Sequence, residues 1–103
     1  MPITDQLPKT IKIGGVTFKI VVTNQGLDSD DHGAMSWDDK KITLSPQIKT
    51  KSELKTVLYH EMAHAALAVS GMKWLWSDET EEAVVRMLET LLIPAILRTN
   101  DRL

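Results

Sequence analysis

His60 and His64 stand four residues apart in a run whose apolar members recur at helical spacing: Leu54, Val57, Leu58, Met62, Ala65, Ala66 and Val69. On a helix, residues four apart share one face about a turn apart, so the two imidazoles can converge on one metal ion. Glu61, beside the first histidine and three before the second, can reach a water bound to that ion. His-Glu-x-x-His is the zinc-hydrolase spacing, two ligands plus a general base. This one segment therefore constrains both the architecture, which must carry a helix there, and the chemistry.

The flanks supply the helix ends. Ser52 reads as the N-cap, with Glu53 at the positive end of the helix dipole, and Gly71 suits the position just past the C-terminus. After a link from Met72 to Ser77, a second helix is expected to open at Ser77 or Asp78, with Asp78 and Glu81 paired as in a capping box. It carries Ala83, Val84, Met87, Leu88, Leu91 and Leu92, and Pro94 should kink it or end its regular part.

Upstream, residues 10 to 23 alternate as a β-hairpin about Gly14-Gly15. Residues 24 to 33 are polar and glycine-containing, hence a loop. A second hairpin runs from Ala34 to Trp37, turns at Asp38-Asp39-Lys40-Lys41, which reads as a solvated turn, and returns through Ile42-Thr43-Leu44 before Pro46 ends it. Strands first and two helices after is an α+β pattern: a small, mostly antiparallel sheet of two hairpins, then the histidine helix and a C-terminal helix. No repeat, low-complexity run or linker divides the chain, so residues 1–103 read as one domain.

The chain has no cysteine, which excludes disulfides, thiolate ligands, Fe–S clusters and a cysteine nucleophile. A net charge of -2 provides no basic field to attract nucleic acid or an anionic membrane. The start, Met1 to Asp5, lacks the basic and apolar regions of a secretory leader. The apolar stretch Ala83 to Leu97 is interrupted by Arg86, Glu89 and Pro94 and is too short to cross a bilayer. The expected location is the cytoplasm. An edge strand and Trp74/Trp76 could serve a dimer, but both have simpler uses, the tryptophans as packing anchors; a monomer is expected.

A catalytic zinc needs three protein ligands and one position for water. Without cysteine, the third ligand is His32, an aspartate or a glutamate. A metzincin would place glycine three and histidine six residues after His64; Leu67 and Ser70 stand there and exclude that class. The second helix opens with Asp78-Glu79-Thr80-Glu81-Glu82, and an antiparallel helix pair returns this turn to the metal-binding helix. A glutamate there would complete a thermolysin-type His2Glu set. Glu82, where the helix turns apolar at Ala83-Val84, is the choice; Glu81 comes next, and Asp78, with a capping role at hand, after it. Glu61 would take a proton from the metal-bound water and return it to the leaving amine. Stabilising the oxyanion would fall to Tyr59 or His32, neither of which the sequence places.

The segment from Gly33 to Ala66 resembles the core of small gluzincin-type metallopeptidases of phages and mobile elements, relatives of the ImmA/IrrE-like group. The shared pattern is a glycine-led strand, a turn, the strand Lys41 to Ser45, a short link, and a helix bearing Leu58-Tyr59-His60-Glu61-Met62-Ala63-His64-Ala65. Glu81-Glu82-Ala83 before an apolar helix extends the likeness to residues 33–97. The resemblance implies a minimal zincin fold with one Zn²⁺ on His60, His64 and Glu82, and Glu61 as the base. It also implies a cleft bordered by the strand Ile42 to Leu44, where a protein or peptide substrate adds as a strand. ImmA-like proteins often cut repressors and can carry further domains; this chain has no room for another, so its substrate is not inherited from them. The expectation is a zinc peptidase; its rivals are a catalytically inactive zinc-binding interaction module and a metal-free structural protein.

Overall fold

The computed structural model describes residues 2–103; Met1, part of the stretch read for a leader, lies outside them. After a short 3-10 turn at Ile3–Gln6 come four strands: β1 (Thr10–Ile13), β2 (Val16–Val22), β3 (Gly33–Ser36) and β4 (Lys41–Leu44). Both expected hairpins form. Gly14, at φ 62°, takes the left-handed first position of the β1–β2 turn, where a Cβ is penalised. The β3–β4 turn uses Lys40 at φ 52° instead. Its ammonium donates to the Trp37 carbonyl at 2.5 Å and lies 3.7 Å from the centre of the Trp37 ring. The turn expected to be merely solvated is thus tied down by a cation–π contact.

The strand order is β1-β2-β4-β3. Both hairpins are antiparallel, but they join through a parallel pair, with Ile20 opposite Ile42 and Val22 opposite Leu44. The sheet is therefore mixed, and β4 is interior. Ile42 and Leu44 are 0% exposed, and both edges of their strand are occupied. This corrects the expectation that Ile42–Leu44 borders a cleft: a strand with no free N–H and C=O row cannot accept another. The open edge beside the helices belongs to β3.

Helix α1 (Lys51–Ser70) crosses the sheet, packing Leu54 and Ala65 on Phe18, Ile42, Leu44 and Ile48. Alanines at 63, 65 and 68 are buried and let the neighbouring layers approach closely. The N-cap is Thr50 rather than Ser52: its Oγ1 accepts the Glu53 N–H at 3.1 Å, and Ser52 lies inside the first turn. Gly71, at φ 84°, closes the other end with its N–H on the Ala68 carbonyl.

Helix α2 (Asp78–Met87) is capped by Ser77, whose Oγ accepts the Thr80 N–H at 3.2 Å. Asp78 has no capping role, against expectation. Regular α geometry stops at Met87, and a wide π-helical turn, Leu88–Leu92, leads into α3 (Ile93–Asn100). Pro94 explains the break, since it has no N–H to give and its ring crowds the carbonyl of Thr90. The expected C-terminal helix is therefore two segments about one turn. Among the described residues, no helix is long and apolar enough to cross a membrane.

Candidate metal centre

His60 and His64 lie on the face of α1 turned toward α2, with ring centroids 5.0 Å apart. His64 meets Glu81 and His60 meets Glu89, so the two helices run antiparallel, as the sequence required. Glu82 lies between the rings. Its Oε1 is 3.1 Å from His60 Nε2, and its Oε2 is 3.1 Å from His64 Nε2. One donor atom from each of His60, His64 and Glu82 falls within 4.8 Å of the others. This group can hold a metal ion.

The donor set bears this out. Each imidazole engages a carboxylate through Nδ1, His64 with Glu81 Oε2 at 2.5 Å and His60 with Glu89 Oε2 at 2.6 Å. In a neutral ring, a proton on Nδ1 leaves Nε2 as a bare acceptor. With the proton on Nδ1, both Nε2 lone pairs and a Glu82 oxygen are free to share one cation, and they stand near enough to do so.

Glu61 lies beside the centre on the sheet side of α1 and is only 7% exposed. Burial pushes its carboxyl above the ordinary glutamate range; His60 and His64 oppose the shift, and Glu82 and Asp31 add to it. Above it passes β3. A Cβ on Gly33 would lie 2.6 Å from Val57 Cγ1 and 3.2 Å from Glu61 Cγ, so only glycine lets the edge strand run this close to the helix. Two hollows open on either side of Glu61. One, of about 320 Å³, is lined by Met35, Lys73 and Asp78 together with His64 and Glu82. The other, of about 220 Å³, is lined by Asp30, Asp31 and His32 together with His60 and Glu89.

The structure thus brings together His60, Glu61, His64 and Glu82. Glu81 contacts Nδ1 of His64 and lies outside the ligand group. It is also the more buried of the two glutamates at 5%, whereas the Glu82 side chain is 39% exposed. Asp78 lines the larger hollow. His32 faces Glu53, with Nδ1 3.7 Å from Oε1, and stays outside the ligand group. Tyr59 points elsewhere, into an apolar groove with Met62, Leu88 and Leu97; this removes it as an oxyanion partner. Trp74 packs edge-on against Trp37 at 5.6 Å yet remains 58% exposed. Sequence reasoning missed Glu89, Lys73 and Gly33 as parts of the site. Glu89 had a signal, since it follows Glu82 by seven residues, two turns along the same face. Lys73, in the helix link, had none.

The chain matches no known family model, and no curated protein or solved structure is significantly similar to it.

Proposed function

We propose that the chain is a zinc-dependent peptidase with His60, His64 and Glu82 as ligands and Glu61 as general base. The observation that carries this reading is the convergence of both Nε2 atoms on Glu82, with a buried carboxylate beside them at an open sheet edge. Two imidazoles and one carboxylate, with no thiolate, form a donor set of the kind that binds catalytic zinc. When bound, it would supply an acidified water and a polarised carbonyl.

The chain's own residues do the rest. Glu61 accepts a proton on its carboxylate and returns it to the leaving amine, a transfer suited to a carboxyl whose proton affinity is raised toward neutrality. The unpaired edge of β3 receives an extended peptide by main-chain pairing, which lays the scissile bond along Gly33–Met35, between the two hollows. A base beside the metal is superfluous in a pure binding module, and this argues for the enzyme over its nearest rival. Chemistry that needs no disulfide, in a chain without cysteine, fits a cytoplasmic setting.

The test is metal content and cleavage of unstructured peptides by the purified protein. Wild type should carry one zinc, and His60→Ala should lose it. Glu61→Gln should retain zinc while cleavage falls about 10²–10⁴-fold. Zinc-loaded wild type that cuts nothing in a broad peptide library would favour the inactive binding module.

A further inference from the structure

Neither Glu81 nor Glu89 has a place among the metal-binding atoms, yet each makes the shortest contact of the histidine beside it. We infer that these two glutamates are positioning residues: they hold the Nδ1–H tautomer of His64 and His60 so that both Nε2 lone pairs point at one spot beside Glu82. This deepens the zinc reading and rests on it for its purpose, though the tautomers themselves can be measured without metal.

A neutral imidazole in water favours the proton on Nε2, which would block the ligating atom. A carboxylate at hydrogen-bond distance from Nδ1 reverses that preference and fixes the ring's rotation. The distances of 2.5 and 2.6 Å are even shorter than the roughly 2.7–2.9 Å of charge-assisted N–H···O bonds, and shorter than the 3.1 Å contacts of the same rings with Glu82. The alternative, a structural ion pair between each glutamate and an imidazolium, is less well suited. It would satisfy Glu82 with one N–H on each oxygen, but it would block both ligating nitrogens and set two cationic rings 5.0 Å apart.

The two contacts are not equivalent. Glu81 is 5% exposed and sits in the first turns of a regular, capped helix. Its second oxygen, Oε1, is buried without a hydrogen bond and has the Lys73 ammonium 3.5 Å away. It has no other place to go. Glu89 projects from the wide turn before Pro94, where the backbone departs from α geometry, and its side chain is 19% exposed. The Glu81–His64 contact is therefore the stiffer, and His64 the better fixed of the two ligands.

The experiment is ¹⁵N NMR of the imidazoles in metal-free protein, at a pH where they are neutral, combined with zinc affinity by competition with a chelating dye. Wild type should show Nδ1 protonated in both His60 and His64. Glu81→Leu should return His64 to the Nε2–H form and weaken zinc binding roughly ten- to hundredfold. Glu89→Leu should do the same for His60 with a smaller loss. Gln at either position keeps an accepting oxygen and should restore most of the tautomer and part of the affinity, a rescue that a general folding defect would not show. The Gln pair also serves if Glu81→Leu does not fold. Nε2-protonated or doubly protonated histidines in wild type, tautomers unmoved in a folded Leu variant, or Gln variants whose tautomers leave the Nδ1–H form as fully as Leu does, would overturn the assignment. If the tautomers hold but wild type binds no zinc, the positioning stands and the peptidase reading fails.

Discussion

The two faces of α1 are built on opposite principles. Toward the sheet, Ala65 is fully buried against Phe18, Ile42 and Leu44, all 0% exposed, and dispersion and the hydrophobic effect hold the contact. Toward α2, the same helix presents two imidazoles to three carboxylates, Glu81, Glu82 and Glu89, with its own Glu61 beside them and Lys73 as the nearest ammonium. Such a collection of like charge opposes folding unless a cation joins it. One face is complete as the chain folds; the other is an acceptor set that a bound cation would complete. Functional sites depart from local stability rules in this way, and the packed face makes the departure tolerable.

Breaking the packed face should have the largest effect. Phe18→Ala empties the centre of the core and should cost about 3–5 kcal/mol in urea unfolding. The loss should be the same whether or not metal is present, because Phe18 touches none of the ligands. A loss that shrinks by half on adding zinc would show that the two faces are coupled and not independent. The complementary break is metal removal. With zinc at about a hundred to a thousand times its dissociation constant, the native state gains roughly 2.7–4.1 kcal/mol, reversed by EDTA and absent in His60→Ala. An unchanged melting temperature on titration with zinc would mean that the acceptor face is complete without a cation.

The packed face was largely legible in the sequence and the polar face only in part, for a physical reason. Alternation in β1, β2 and β4 and the 3.6-residue recurrence in α1 are local signals, and they placed both hairpins and the long helix. The parallel joining of β2 to β4 has no local signal; it depends on which hairpin edge the connection of residues 23–32 reaches. The cleft beside Ile42–Leu44 was implied by the family resemblance, and no local pattern in the sequence could have moved it to β3. In the site, His60, Glu61 and His64 announce themselves by spacing. Glu82 followed from the antiparallel return of α2, a tertiary inference from a short link. Glu81 and Glu89 were harder, since an acidic first turn and an interrupted apolar stretch have ordinary explanations. Gly33 carries a constraint visible only once β3 lies on Val57 and Glu61. The α1 cap was misread by two residues, Thr50 for Ser52, and at α2 Ser77, one of the two expected openings, takes the capping role assigned to Asp78, because neighbouring Ser, Thr and Asp side chains compete for the role with similar chemistry.

The finest test of the contrast is Glu61, which belongs to both faces: its stem is buried with the packed layer and its carboxylate faces the acceptor set. Burial raises its proton affinity in the folded chain above that of the unfolded chain. The folded state therefore binds that proton more tightly, and unfolding releases it. Linkage then fixes the sign. The contribution of protonated Glu61 to stability is fully present below the ordinary carboxylate range and is lost as pH rises through the elevated folded value. At neutral pH the ionised, poorly hydrated carboxylate is a cost to the metal-free fold. Glu61→Gln, similar in shape and uncharged, should make the metal-free protein more stable than wild type at about pH 7–8. The difference should shrink as pH falls to about 4, where both side chains are neutral. Urea unfolding of the two proteins in EDTA across that range isolates the residue, because every other titrating group is common to both. A Gln variant less stable than wild type at neutral pH would show that the ionised carboxylate is welcomed by His60 and His64 more than it is penalised by burial. With zinc bound, the cation stabilises the carboxylate directly and the advantage of Gln should narrow. The cost that Glu61 imposes on the empty fold would then be the same feature that makes it a base near the metal.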